Sequence, residues 1–153
     1  MSATRREGGF FLPARTGGGW GSVSVYWWIA LGSALGGMAR YGCSGLVAAR
    51  YGELFPWGTL VVNVVGSFVI GFFAANAGHD GWLGDPTVDL FVTVGLCGGY
   101  TTFSSFSLQT LNLARDGEWT RVVANVALSV ILCFISVVLG VVGARALLGL
   151  GGA

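Results

Sequence analysis

"GGYTTFSSF", residues 98–106, decides how this chain folds. Two adjacent glycines and four Thr and Ser hydroxyls sit in the middle of an otherwise apolar run. Glycine weakens helix interiors, and hydroxyl side chains compete for backbone hydrogen bonds. Either the segment is a loop, or its irregular backbone serves a purpose.

The surrounding composition narrows the choice. The chain has 153 residues, of which 54% are hydrophobic and only 10% charged, with no lysine. Soluble domains carry about 25% charged residues, so this composition is that of a membrane protein. The length suits one small domain. A net charge of +1 offers no basic face for a nucleic acid. Cys43, Cys97 and Cys133 lie in apolar runs without CxxC spacing, which suits buried free thiols. His79, beside Asp80, has no partner cluster and reads as a solvated loop residue.

Residues 1–24 are rich in Gly and Arg and lack a sustained apolar core, so they read as a flexible tail rather than a signal peptide. Residues 149–153 form a short C-terminal tail. Between the tails, residues 25–148 hold four apolar runs near the ~20 residues that a bilayer crossing needs. They cover about Val25 to Ala49, Trp57 to Ala77, Val88 to Leu113 and Val122 to Leu148. Asp85 followed by Pro86 is an N-cap with Pro at the first helical position. Pro56 and Trp57 place a helix start and an interfacial anchor together. The expected fold is an all-α bundle of four transmembrane helices.

An even number of spans puts both termini on one side. That side carries Arg5, Arg6, Arg15 and Arg145, and the other carries Arg50, Arg115 and Arg121. Once the distant tail arginines are discounted the bias is almost nil, so the chain can insert both ways round. That permits an antiparallel two-fold dimer. Gly32, Gly36 and Ala39 have the small-residue spacing of close helix contacts, which favours a dimer over a monomer.

Polar groups inside the membrane are functional candidates by default. Arg40 lies toward the end of the first span, where it either snorkels to the interface or draws an anion to a vestibule. Asn63 is too deep and too short to snorkel. It either bonds between helices or donates to an ion path. No carboxylate sits at mid-depth, since Asp89 falls in the first turn of the third span, where it suits the helix dipole. A proton-coupled cation exporter is therefore disfavoured. No activated nucleophile, carboxylate pair or metal-ligand cluster is present, which argues against an enzyme.

The opening stretch lies near the centre of the third span. A break centred on the glycine pair yields two half-helices meeting at mid-membrane. Such backbone survives only where protein or water covers it. Unwound carbonyls suit a cation, while half-helix N-termini suit anions. Phe103 and Phe106, three residues apart, share a helical face with hydroxyls beside them. Phenyl rings present positive edges, so two rings with hydroxyl and amide donors can replace the water around a small anion. The alternative is ordinary core packing.

At these residues the sequence resembles the CrcB/Fluc family of bacterial fluoride channels. The marks are "GGMARYG", "FPWGTLVVNVVGSFVIG" and "GLCGGYTTFSSFS", and the resemblance runs from about Trp28 to Leu148. It implies an antiparallel dual-topology homodimer, or a pairing with a paralogous subunit, in the bacterial inner membrane. It implies two fluoride pores, with Asn63, Phe103, Phe106 and Arg40 at the matching positions. A polar track falls on Ser104 and Ser129. A central sodium ion, not transported, is implied at the backbone carbonyls of Gly98 and Thr101. Asn125 and Cys133 depart from the pattern, standing where hydroxyl residues are common. The implied function is passive efflux of fluoride from the cytoplasm. A small proton-coupled exporter and a non-transporting membrane scaffold are the rivals.

Overall fold

The computed structural model describes residues 23–76 and 85–149, and every regular element among them is helical. Helix α1 spans Val23–Tyr51 and α2 spans Trp57–Ala74. The third pass comes in two pieces. Its first piece, α3, covers residues 86–100: a turn Pro86–Asp89, a π-helical stretch Leu90–Cys97 and a closing turn Gly98–Tyr100. Its second piece is α4, Phe103–Arg115, and α5, Trp119–Leu148, completes the bundle. Val23 and Ser24, assigned to the tail from sequence, already belong to α1. His79, Asp80, residues 1–22 and residues 150–153 lie outside the described residues.

The start of α3 follows its local chemistry. The Asp85 carboxylate accepts from the Thr87 N–H at 2.7 Å and the Val88 N–H at 3.2 Å, with Pro86 as the first helical residue. These bonds, the Thr87 one first, hold the carboxyl below the usual aspartate range.

Two of the seams that hold the bundle are built from glycine. Along the α1–α3 seam, a Cβ at Gly99 would lie 2.5 Å from the Ser33 carbonyl oxygen, and one at Gly36 would strike the Leu96 carbonyl. The α2–α5 seam uses the same device at Gly71 and Gly140, against the carbonyls of Val137 and Phe68. Backbones approach this closely only where side chains are absent.

The long helix α5 is inverted relative to a soluble one. Its buried residues are Asn125, Ser129, Ser136, Gly140 and Ala144, while Val130, Phe134 and Leu139 are exposed. Small and polar groups face protein and large apolar groups face outward, the arrangement expected where lipid is the solvent. α2 and α5 are each long and apolar enough to cross a membrane. Cys43, Cys97 and Cys133 are free thiols.

Candidate functional site: the gap in the third pass

Helical geometry is lost at Thr101 (φ −74°, ψ 156°) and Thr102 (φ −151°, ψ 109°), both extended. The glycine pair itself is not the gap. Gly98 is helical (φ −62°, ψ −37°), and a Cβ there would meet only the Thr93 carbonyl oxygen, at 4.0 Å. The glycines serve the α1 seam, at Gly99, and the threonines interrupt the helix.

The Thr101 N–H and both backbone groups of Thr102 have identifiable partners at the gap. Thr101 doubles the last bond of α3, because its N–H and its hydroxyl both donate to the Cys97 carbonyl at 2.9 Å. In a continuous helix the Thr102 N–H would donate to the Gly98 carbonyl. Here it donates to Asn63 Oδ1 at 2.8 Å, while Asn63 Nδ2 donates to the Thr102 carbonyl at 3.1 Å. A single side-chain amide on α2 thus takes both backbone groups of a residue only 6% exposed. The exchange releases the Gly98 carbonyl from its helical partner.

Thr102 also starts α4. Its hydroxyl oxygen accepts from the Ser105 N–H at 3.2 Å, as an N-cap does, and its hydroxyl donates to Ser105 Oγ at 3.0 Å. Ser104 Oγ lies 3.2 Å from the same oxygen. Directly beyond the cap stand Phe103 and Phe106, with ring centroids 5.4 Å apart and planes tilted by 45°. Phe103 is 78% exposed on the single chain, and Phe106 is half-buried. Each phenylalanine carbonyl accepts an extra hydroxyl bond, from Ser107 at 2.9 Å and from Thr110 at 2.7 Å.

Asn63, Ser104, Phe103 and Phe106 therefore gather around one turn, with Thr101 and Gly98 on its other side. Ser129 is buried on α5, one turn beyond the buried Asn125. Asn125 Nδ2 donates to Thr110 Oγ1 at 2.8 Å, tying α5 to α4. Arg40 is half-buried on α1, one turn past Gly36, and shares no hydrogen bond or ion pair with the others among the described residues. A cavity of about 670 Å³ opens beyond Phe106, walled by Ser44, Trp57, Thr59, Gln109, Asn112 and Arg121.

Sequence reasoning missed two of these residues. Thr102 carries a visible N-cap signal, a Thr three residues before Ser105. Thr110 carries none, because its partner lies on another helix.

Fold and site together define a small all-helical membrane protein. Comparison with known proteins narrows this further. Residues 27–141 match the family model described as CrcB-like protein, Camphor Resistance (CrcB), and the chain belongs to that family. Over 131 residues it is 57% identical to a protein of Opitutus terrae named fluoride-specific ion channel FluC, covering 85% of this chain and 99% of that one. A Methylocella silvestris protein of the same name is 54% identical over 129 residues, covering 84% and 98%. One from Rhodospirillum rubrum is 56% identical over 121 residues, covering 78% and 94%.

Proposed function

We propose that this chain is a fluoride-selective channel, not an enzyme, through which fluoride leaves the cytoplasm down its gradient. The observation that carries the reading is the extended Thr101–Thr102 pair, held by Asn63 directly beside the Phe103–Phe106 rings. The names of the relatives support it.

Fluoride is small and strongly hydrated, so a selective path must replace its water with donors. The hydroxyls of Ser104 and Ser129, the second N–H of the Asn63 amide and the positive ring edges supply donors without a fixed charge. Arg40 raises the local anion concentration at a mouth. A passive path suffices physiologically, because neutral HF enters across the lipid and dissociates inside.

The working unit is an antiparallel dimer in the bacterial inner membrane. Gly98 is exposed on the single chain. A released carbonyl at mid-membrane depth cannot face lipid, so a second copy covers it. The Gly98 and Thr101 carbonyls of both copies suit a sodium ion, since unwound carbonyls are hard oxygen ligands. Bound there, such an ion would supply a fixed positive charge shared by the carbonyls of both copies.

Purified protein in liposomes loaded with potassium fluoride, opened to potassium by an ionophore, tests the reading. A fluoride electrode should record rapid efflux, and a chloride electrode should record none from chloride-loaded vesicles. Equal release of both anions, or of neither, would overturn it.

A further inference from the structure

The two phenylalanines are not held alike. We infer that Asn125 and Thr110 are positioning residues that fix Phe106 from α5 and do not act on Phe103; the functional weight of this rests on the channel reading above. α4 contains no buried residue, so packing alone does not set its orientation. Polar ties do that work at two points. One is the Asn63 grip on Thr102, immediately before Phe103. The other is Thr110, one turn past Phe106.

The second tie has a defined direction. Asn125, 2% exposed, donates from Nδ2 to Thr110 Oγ1 at 2.8 Å. That oxygen's own proton is donated to the Phe106 carbonyl at 2.7 Å. Acceptance and donation by one hydroxyl polarise each other in a low-dielectric surround. The chain runs from the buried wall of α5 into the backbone that carries the Phe106 ring. Ser107 makes the same bond to the Phe103 carbonyl at 2.9 Å, but among the described residues its hydroxyl has no partner on a neighbouring helix. Phe103 is correspondingly 78% exposed on the single chain. Phe106 is tied to α5, whereas Phe103 follows the α2 anchor at Thr102 and has no tie to α5 among the described residues.

A readout other than conduction separates positioning from simple helix gluing. With 4-fluorophenylalanine at position 106, the dimer should give one narrow fluorine NMR line. Thr110→Val should broaden or split that line, Thr110→Ser should restore it, and a label at 103 should respond to neither. Fluoride efflux should fall about five- to tenfold in Thr110→Val, the worth of one ordinary buried hydrogen bond. Asn125→Leu should fall similarly, and the double variant should be no slower than either, because both act through one chain. If Asn125→Leu does not assemble, the Thr110→Val and Thr110→Ser pair decides the matter. An unchanged line at 106 in Thr110→Val would overturn the inference, as would multiplicative losses in the double variant. Wild-type protein without fluoride efflux would instead overturn the channel reading, and the fluorine line would still report on the positioning.

Discussion

α3 and α4 follow one another in the chain, yet α3 buries Val92, Thr93, Gly95 and Cys97 whereas α4 buries none of its 13 residues. α3 is wedged backbone to backbone against α1. α4 leans on α5, with polar ties at Thr102 and Thr110. The difference teaches how a small bundle can be both rigid and functional. The first half is packed backbone to backbone, and the half that presents phenyl rings and hydroxyls packs more lightly on α5 and is tied by hydrogen bonds. Substitutions in α3 should therefore cost stability, and substitutions in α4 should cost function.

The largest effect is expected at the seam. Gly99→Val drives a side chain into the Ser33 backbone, where neither partner can yield. It should cost at least about 3 kcal/mol, the upper range of core overpacking, and leave no monodisperse protein in detergent. Gly98→Ala, one residue away, meets only an ordinary contact with the Thr93 carbonyl and should keep the protomer folded. Equal yields from Gly99→Val and wild type would dissolve the contrast between the two halves.

Next comes the junction. Asn63→Leu strands both backbone groups of the buried Thr102, at about 1–3 kcal/mol each, and should lower the thermal unfolding temperature in detergent. Asn63→Asp keeps the acceptor for the Thr102 N–H, so it should unfold later than Asn63→Leu. It should still abolish conduction, because a carboxylate repels anions strongly in a low-dielectric path. If Asn63→Leu unfolds with wild type, the grip on Thr102 contributes nothing.

The smallest effect lies at the far end of α3. The Asp85 carboxyl sits below its usual range in the folded chain. Its contribution is therefore complete above the ordinary aspartate value and is lost as pH falls through the depressed folded value. Hydrogen exchange at residues 87–89 should accelerate in that acid window relative to Asp85→Asn, which caps without titrating. Identical acid profiles would show that the cap does not hold this turn.

These contrasts also mark what the sequence could reveal. The four apolar runs and the Asp85–Pro86 start were legible because length, periodicity and capping are local properties. The interruption was legible in its region but not in its residue. Glycine suggested flexibility, whereas Gly99 serves contact with Ser33, and the threonines, whose hydroxyls can satisfy exposed backbone, make the gap. The Asn63–Thr102 pair spans 39 residues, and no local pattern announces it. The π-helical stretch Leu90–Cys97 likewise has no signature in its composition. Asn125 looked like a departure from pattern, and its meaning required the position of Thr110.

The central claim is that the rings of α4 belong to the anion path and not to the core. Fluoride efflux from liposomes should be measured for wild type, Phe103→Ile and Phe106→Ile, with each variant's unfolding temperature recorded. Isoleucine keeps apolar bulk but lacks the positive ring edge. The expected result is rapid efflux from wild type, a loss of at least about tenfold in both variants, and unfolding temperatures unchanged, since α4 buries no residue. Wild-type efflux from both variants, or a loss of efflux that merely tracks a loss of stability, would contradict the account.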